Sequence, residues 1–199
     1  MLTFAAAVFL LIATPGPGVL STAGFGAAYG FRPSLAYVLG LFLGTNAVML
    51  AVISGLAAIV LSLPGLRIVL MAASVAYLLY LAARIAFAGS RLAFIEAKSP
   101  PGVLGGLMLQ AINPKAYAVN TAFITGFSYA PDNLLFEIAT KLIIANAIWV
   151  PIHLGWLWAG VALHRLDLPQ RTHRSINIAM ALAMLGVVAL AIWQAARTG

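Results

Sequence analysis

The sequence predicts an all-α integral membrane protein with six transmembrane helices. Of its 199 residues, 63% are hydrophobic and only 8% are charged, whereas soluble domains carry about 25% charged residues. No Asp, Glu, Lys or Arg occurs in residues 1–31, 33–66, 68–83 and 142–164. Most of these runs reach the roughly 20 helical residues that cross a hydrocarbon core. We therefore expect a single membrane domain over residues 1–199, with no separate soluble domain.

Charges, prolines and glycines divide the chain into candidate spans. Turn signals lie at residues 31–33, 63–65, 99–102, 131–133 and 164–174. The first apolar run has no basic leader and no convincing cleavage site, so we interpret it as a retained span and not as a signal peptide. With ends accurate to about 2–4 residues, the six predicted helices are 2–24, 34–62, 67–88, 102–127, 138–163 and 176–196.

The two halves of the chain, about 1–90 and 100–199, share matched residues. Pro114 follows Pro15 by 99 positions (114 − 15), and Asn146 follows Asn46 by 100 (146 − 46). Three spans in each half make the second half enter the membrane from the opposite side, as in many secondary transporters. The pattern favours two inverted three-helix repeats with broken helices 1 and 4, although coincidence in an Ala-, Leu- and Gly-rich chain is the alternative.

The basic residues are distributed unequally between the two sides of the predicted bundle. The positive-inside rule assigns the richer side to the cytoplasm, so both termini are predicted outside. The formal net charge of +7 is thus explained by loop anchors, and we expect no nucleic-acid partner. The richer side carries Arg32, Arg84, Arg91, Lys98, Arg165, Arg171 and Arg174, against Arg67, Lys141 and Arg197 on the other.

Residues 14–18, Thr-Pro-Gly-Pro-Gly, lie inside the first predicted span. A proline inside a helix removes a backbone hydrogen bond, and the residue before a proline leaves the α region. In lipid, the freed backbone groups are tolerated where they are buried in protein or line a watery cavity. We therefore predict a functional break in this span, the alternative being a kink used only for packing.

The fourth predicted span contains Gln110 and the motif Asn113-Pro114-Lys115. A lysine near the bilayer centre costs about 2.5–3.5 kcal/mol on insertion scales. We expect Lys115 to face a water-filled cavity, backbone carbonyls or an anionic substrate group, because no Asp or Glu lies within a predicted span. The alternative is a lysine that snorkels to the interface.

Two further polar positions lie in the second and fifth predicted spans. Asn146 and His153 are two helical turns apart and share one face, and His153 titrates near neutrality in an ordinary setting. A proton-carrying role and a structural hydrogen-bonding role are both open for this histidine. Asn46 follows Gly40 and Gly44, whose spacing favours close helix packing.

Taken together, these motifs resemble the LysE/RhtB family of amino-acid efflux carriers (lysine exporter and homoserine/threonine resistance). The resemblance covers nearly the whole chain. It rests on residues 14–17, the glycine-rich start of the second span, the Ala-Tyr-Leu-Leu-Tyr-Leu motif at 76–81, and residues 113–115 with the aromatic-rich run that follows. Many relatives have an acidic or amide residue where this chain has Gly18, and a histidine near Asn46. These departures leave the proton-coupling group unassigned.

The resemblance implies export of amino acids or related small metabolites from the bacterial cytoplasm through the inner membrane, driven by the proton motive force. A neutral amino acid is favoured, since no carboxylate lies in a predicted span. We expect alternating access, membrane lipid around the chain, a possible homodimer, and no cofactor or resident metal. The predicted transport path comprises Pro15, Gly16, Pro17, Asn46, Gln110, Asn113, Pro114, Lys115, Asn146 and His153.

Two other functions remain open from the residues alone. Distant relatives of this fold resemble metal exporters, but three His, four Asp or Glu and no Cys make a poor divalent-cation site. A membrane enzyme would need a nucleophile–base pair or a metal constellation, and neither is visible. We therefore do not expect an enzyme, and a membrane assembly subunit is the remaining alternative.

Overall fold

A computed structural model describes residues 1–14, 16–86, 99–166 and 169, together with parts of a helical stretch between 171 and 189. Every regular element among these residues is a helix, which confirms the all-α prediction for this part of the chain. Pro15, Arg91, Lys98 and Arg197, named above, lie outside the described residues. The elements are α1 (Leu2–Ala13), α2 (Pro17–Tyr29), α3 (Phe31–Ile53), α4 (Leu56–Leu61), α5 (Pro64–Ala86), α6 (Gly102–Ile112), α7 (Pro114–Thr125) and α8 (Leu134–Arg165).

Helices are interrupted at both of the predicted proline-containing segments. α1 and α2 are bent by 53° relative to each other across residues 14–16. α6 and α7 are separated by Asn113, whose backbone is extended (φ −80°, ψ 108°). In each case a proline begins the second helix, where its missing N–H leaves no hydrogen bond unmade. The two broken elements that the sequence predicts are therefore present.

Several helix boundaries differ from those predicted. α5 begins at Pro64, inside the turn predicted at 63–65, and residues 171–172 of the loop predicted at 164–174 are helical. The turn predicted at 31–33 lies inside α3, because a proline is tolerated in the first turn of a helix and Gly30 (φ +82°) makes the turn instead. Gly55 (φ +76°) ends the second predicted helix early and separates α3 from α4. α8 begins at Leu134 instead of 138, so Glu137 joins Lys141 within the helix, where the two side chains are paired.

Among the described residues, two helices are long and apolar enough to cross a membrane, α3 and the Leu134–Leu163 part of α8. The bent pair α1–α2 makes a third if it is counted as one span. These apolar helices support a multi-pass membrane protein. The count of six spans and their inverted arrangement stay predictions.

Glycines bring the backbones of the two halves into contact. A Cβ built on Gly40 of α3 would meet the Val103 carbonyl of α6, and one on Gly44 would lie 2.7 Å from the Gln110 Cβ. On the other side, a Cβ on Gly26 of α2 would lie 2.5 Å from the Leu157 carbonyl oxygen of α8. The predicted packing role of Gly40 and Gly44 is confirmed, and the packing is within the chain.

Candidate functional site

A cavity lies between the two helix breaks, bordered by α1, α2, α3, α6, α7 and α8. The space open to the centres of water molecules is about 70 Å³, several times the roughly 10–15 Å³ that holds one buried water. The cavity is therefore large enough for a small organic solute. Of the predicted path residues, those that line it are Gly16, Pro17, Gln110, Asn113, Lys115, Asn146 and His153.

At the break between α6 and α7, the hydrogen-bonding groups find their partners mainly among residues of the same segment. The Asn113 side-chain oxygen accepts the Lys115 backbone N–H (3.1 Å), which caps α7. The Asn113 amide donates to Gln110 Oε1 (3.1 Å), and the Gln110 amide donates to Thr45 Oγ1 of α3 (2.8 Å). The Tyr117 hydroxyl donates to the Ala111 carbonyl near the end of α6 (2.8 Å). This network holds both ends of the break in fixed positions.

Among the described residues of the break between α1 and α2, Thr14 and Gly16, there is no comparable set of local partners. Gly16 is the N-cap of α2 and offers no side-chain acceptor. The Thr14 side chain is engaged within α1, where it donates to the Leu10 carbonyl (2.6 Å). The Thr14 carbonyl, freed at the end of α1, instead accepts a hydrogen bond from the Lys115 ammonium (2.7 Å). A residue of the second half thus completes the break of the first half.

Lys115 reaches this position because Gly16 leaves space for it. A Cβ built on Gly16 would lie 2.8 Å from Lys115 Cδ and 2.9 Å from Nζ, closer than unstrained contacts allow. The Gly16 backbone is extended (φ −153°, ψ 177°), so the reason for glycine here is lack of space, not backbone conformation. Pro114 begins α7 one residue before this lysine and does not itself line the cavity.

The two matched asparagines contact each other directly. The Asn46 amide donates to Asn146 Oδ1 and the Asn146 amide donates to Asn46 Oδ1, both at 2.9 Å. Each amide also donates to the carbonyl four residues before it, Phe42 in α3 and Leu142 in α8. Corresponding positions of the two halves therefore make the same local and cross-half contacts. Asn146 lines the cavity, whereas Asn46 does not line it and contacts it through Asn146.

His153 is buried (4% exposed) and lies against Trp149 in α8. The two rings stack with centroids 3.6 Å apart, and Nδ1 lies 3.0 Å from the Trp149 carbonyl oxygen. A proton on Nδ1 makes that hydrogen bond, which leaves Nε2 of the neutral ring as an acceptor. A Cβ built on Gly18 would lie 3.7 Å from this Nε2, so the free nitrogen faces the start of α2.

Sequence reasoning missed four polar residues near the cavity. Thr45 and Asn120 line it, and nothing in their sequence context distinguishes them from packing residues. Glu137 and Lys141 form a buried ion pair (2.7 Å) beyond one end of the cavity. Their i, i+4 spacing is typical of helical ion pairs and was the available signal. Among the described residues, no three of His, Cys, Asp and Glu cluster closely enough to hold a metal ion.

Apolar helices and a solute-sized cavity between two broken helices define a membrane transporter as the class of protein. The family comparison agrees with this class and makes it specific. The chain belongs to the LysE type translocator family, whose model matches residues 9–194, and the resemblance seen in the sequence is thereby confirmed. No significant match was found among curated proteins or among solved structures.

Proposed function

We propose that this translocator exports amino acids from the bacterial cytoplasm by alternating access, coupled to the proton motive force. The observation that carries the proposal is the Lys115 ammonium at the α1–α2 break, 2.7 Å from the Thr14 carbonyl. The cation lies on a cavity whose other described polar residues are uncharged amides and hydroxyls, with His153. A zwitterion needs a cation for its carboxylate and neutral acceptors for its ammonium, and both kinds of group are present.

Two helix N-termini add to the attraction for a carboxylate. Pro17, Gly18 and Val19 at the start of α2, and Lys115 and Ala116 at the start of α7, all border the cavity. The helix dipole makes the N-terminal end of each helix positive. In α7 the N–H groups of Lys115 and Ala116 already bond to Asn113, so this end contributes its dipole and not free donors. A carboxylate between Lys115 and these termini therefore meets positive charge from both halves.

The substrate ammonium requires acceptors, and the C-terminal end of α1 provides them. The last carbonyls of a helix lack intrahelical partners and carry the negative end of the dipole. The Thr14 carbonyl lies on the cavity side of the break, where Lys115 already bonds it. When a carboxylate binds Lys115, that carbonyl becomes available to a substrate ammonium.

The packing of the halves supports an inverted repeat that rocks around the site. α3 of the first half contacts α6 and α7, and α8 of the second half contacts α1 and α2. Each long helix thus packs on the broken element of the other half. Rotation of one half against the other would open the cavity to each side in turn. Six spans, outside termini and an inner-membrane location belong to this proposal.

A metal ion is a poorer cargo for this cavity than an amino acid. The charge on its described lining is the Lys115 ammonium, which repels a divalent cation, and no Asp or Glu lies beside it. Hard cations prefer carboxylate oxygens and softer ones prefer thiolates or clustered imidazoles.

The test is counterflow of labelled amino acids in proteoliposomes with three variants. Lys115→Ala should lower exchange about 10- to 100-fold, and Lys115→Arg should retain more of it because the charge stays. Arg165→Ala, which removes an exposed cation at the end of α8, is the matched control and should leave exchange unchanged. Absence of exchange across a broad panel, with folded protein, would reject amino-acid export.

Proton coupling has its own readout in the same vesicles. An imposed pH gradient should drive the amino acid against its concentration gradient, and a protonophore should stop that movement. Exchange that persists while a pH gradient drives no net transport would reject the coupling and keep the carrier.

A further inference from the structure

The cavity has a polar end and an apolar end. The polar end adjoins the two helix breaks and comprises Thr45, Gln110, Asn113, Lys115 and His153. The apolar end comprises Leu11, Met49, Val119, Phe123 and Ala145. Met49, Phe123 and Ala145 are almost fully buried and belong to one hydrophobic cluster, against which Leu11 and Val119 pack.

The helix register separates the two ends along one direction. On α7, Lys115, Val119 and Phe123 recur at four-residue steps, so they share a face and each step advances about 6 Å. On α3, Thr45 is likewise followed by Met49 four residues later. Because Met49 and Phe123 meet in the same cluster, both helices change from polar to apolar toward the same end of the cavity.

The apolar end is closed by aromatic rings and a neutralised ion pair. Phe4 of α1 lies edge-on to Phe123, with ring centroids 5.8 Å apart. Behind it, the Lys141 ammonium lies 6.0 Å from the centre of the Phe4 ring and pairs with Glu137 at 2.7 Å. The two charges behind the Phe4 ring are therefore already paired with each other.

We propose that the exported amino acid has an uncharged aliphatic side chain, which occupies the apolar end while its carboxylate binds Lys115. This inference rests on the proposed function. The backbone positions of Lys115 and Val119 are four residues, about 6 Å, apart along α7, so a substrate held by its carboxylate at Lys115 can direct its side chain toward the apolar end. A side-chain ammonium or guanidinium would be buried there without a carboxylate partner, at high cost.

Two polar residues, Asn120 and Asn146, adjoin the apolar end. The Asn146 amide is bonded to Asn46 and Leu142. Asn120 is 3% exposed, and its side-chain amide donates to the Ala116 carbonyl of its own helix (2.8 Å). This hydrogen bond commits one N–H of Asn120 to α7. A substrate hydroxyl that lies among the apolar side chains of Met49, Val119 and Phe123 would be surrounded by carbon, which disfavours hydroxylated amino acids relative to aliphatic ones of the same shape.

The experiment is competition in proteoliposome counterflow with valine and threonine, which have the same shape and differ by a methyl and a hydroxyl. An apolar pocket discriminates such pairs by roughly 10- to 100-fold, so valine should compete at correspondingly lower concentration. Lysine should not compete. Equal or better competition by threonine or lysine would overturn the proposal.

Variants of the apolar end provide the structural control. Ala145→Leu fills this end and should weaken leucine exchange at least tenfold while alanine exchange continues. Ala147→Leu makes the same change on the exposed side of α8 and should leave both unchanged. If the filled variant does not fold, Val119→Thr places a hydroxyl in the wall at constant shape and should raise threonine relative to valine.

The outcomes separate the two levels of inference. The aliphatic assignment is overturned if exchange shows a different substrate preference. It is also overturned if Ala145→Leu leaves the leucine-to-alanine ratio unchanged and Val119→Thr leaves the valine preference unchanged. Either result leaves amino-acid export standing. Absence of exchange with every amino acid overturns both.

Discussion

The two helix breaks differ in where their hydrogen-bond partners come from. At the α6–α7 break, Asn113 caps α7 and bonds Gln110, so the partners are mostly residues of the same segment. At the α1–α2 break, Gly16 provides no side-chain cap and the Thr14 carbonyl depends on Lys115. The hydrogen bonds of the α6–α7 break are complete within its own segment, whereas those of the α1–α2 break depend on a contact between the halves.

This difference indicates which break changes during transport. A contact between the halves is lost or exchanged when they rock against each other, whereas a network within one segment can move as a unit. A substrate carboxylate competes for the same ammonium that holds Thr14. We therefore expect substrate binding and rearrangement of the α1–α2 break to be coupled, with the α6–α7 break acting as a fixed support.

The largest effect is expected when the shared cation is removed. Lys115→Met should lower amino-acid exchange about 10- to 100-fold, since hydrogen bonds to charged groups contribute about 1.5–3 kcal/mol. The free energy of unfolding, measured by SDS titration in detergent micelles, should change by less than about 1 kcal/mol, because removal also relieves the cost of burying the charge. A large loss of stability would show that Lys115 is mainly structural.

The next effect is expected from crowding the same contact. Gly16→Ala places a methyl group against Lys115 and should lower exchange about tenfold, because displacing a positioning group by about 1 Å is costly. Gly155→Ala, on the exposed side of α8, is the matched control, since its Cβ would meet nothing within 4 Å. Equal rates for the two variants in the counterflow assay would contradict the role given to Gly16.

A smaller effect is expected at the α6–α7 break, and it should appear in stability more than in exchange. Asn113→Ala removes the cap of α7 and should lower the free energy of unfolding by about 1 kcal/mol. Asn113→Ser retains a capping oxygen and should recover much of that loss. The same SDS titration measures both variants, and an unchanged stability in Asn113→Ala would remove the distinction between the two breaks.

The smallest effect is expected from the asparagine pair, which links the halves away from both breaks. Interhelical hydrogen bonds in membranes contribute about 0.6 kcal/mol on average. A double-mutant cycle of Asn46→Ala and Asn146→Ala should give a coupling energy of this size, up to about 1.7 kcal/mol. Additive single effects would mean that the reciprocal hydrogen bonds do not hold the halves together.

The local features of the fold were predictable because proline acts on its own backbone. The interruptions before Pro17 and Pro114 follow from that chemistry, and the cavity location of Lys115 follows from the cost of a charge in lipid. The partner of Lys115 was not predictable, because Thr14 lies 101 residues away and the contact depends on tertiary packing. The correspondence of Asn46 and Asn146 was visible in the spacing, but their direct contact was not.

Boundary errors had local causes as well. Residues 31–33 were assigned to a turn because of Pro33, which the first turn of α3 accommodates, and the Gly30 signal was overlooked. Lys141 was counted in the charge balance of one side because its charge was weighed alone. It is half of a neutral pair with Glu137, four residues earlier in the same helix.

The length of α8 has a consequence for how the protein sits in the bilayer. Its 32 residues extend about 48 Å at 1.5 Å per residue, well beyond a hydrocarbon thickness of about 30 Å. The helix must therefore tilt strongly or project from the membrane. The Glu137–Lys141 pair near its first turn allows the extra length of the helix to enter the interface without a net charge. Because the helix is longer than the hydrocarbon core, changes in bilayer thickness should alter its tilt. A change in tilt should in turn alter the width of the cavity that α8 borders.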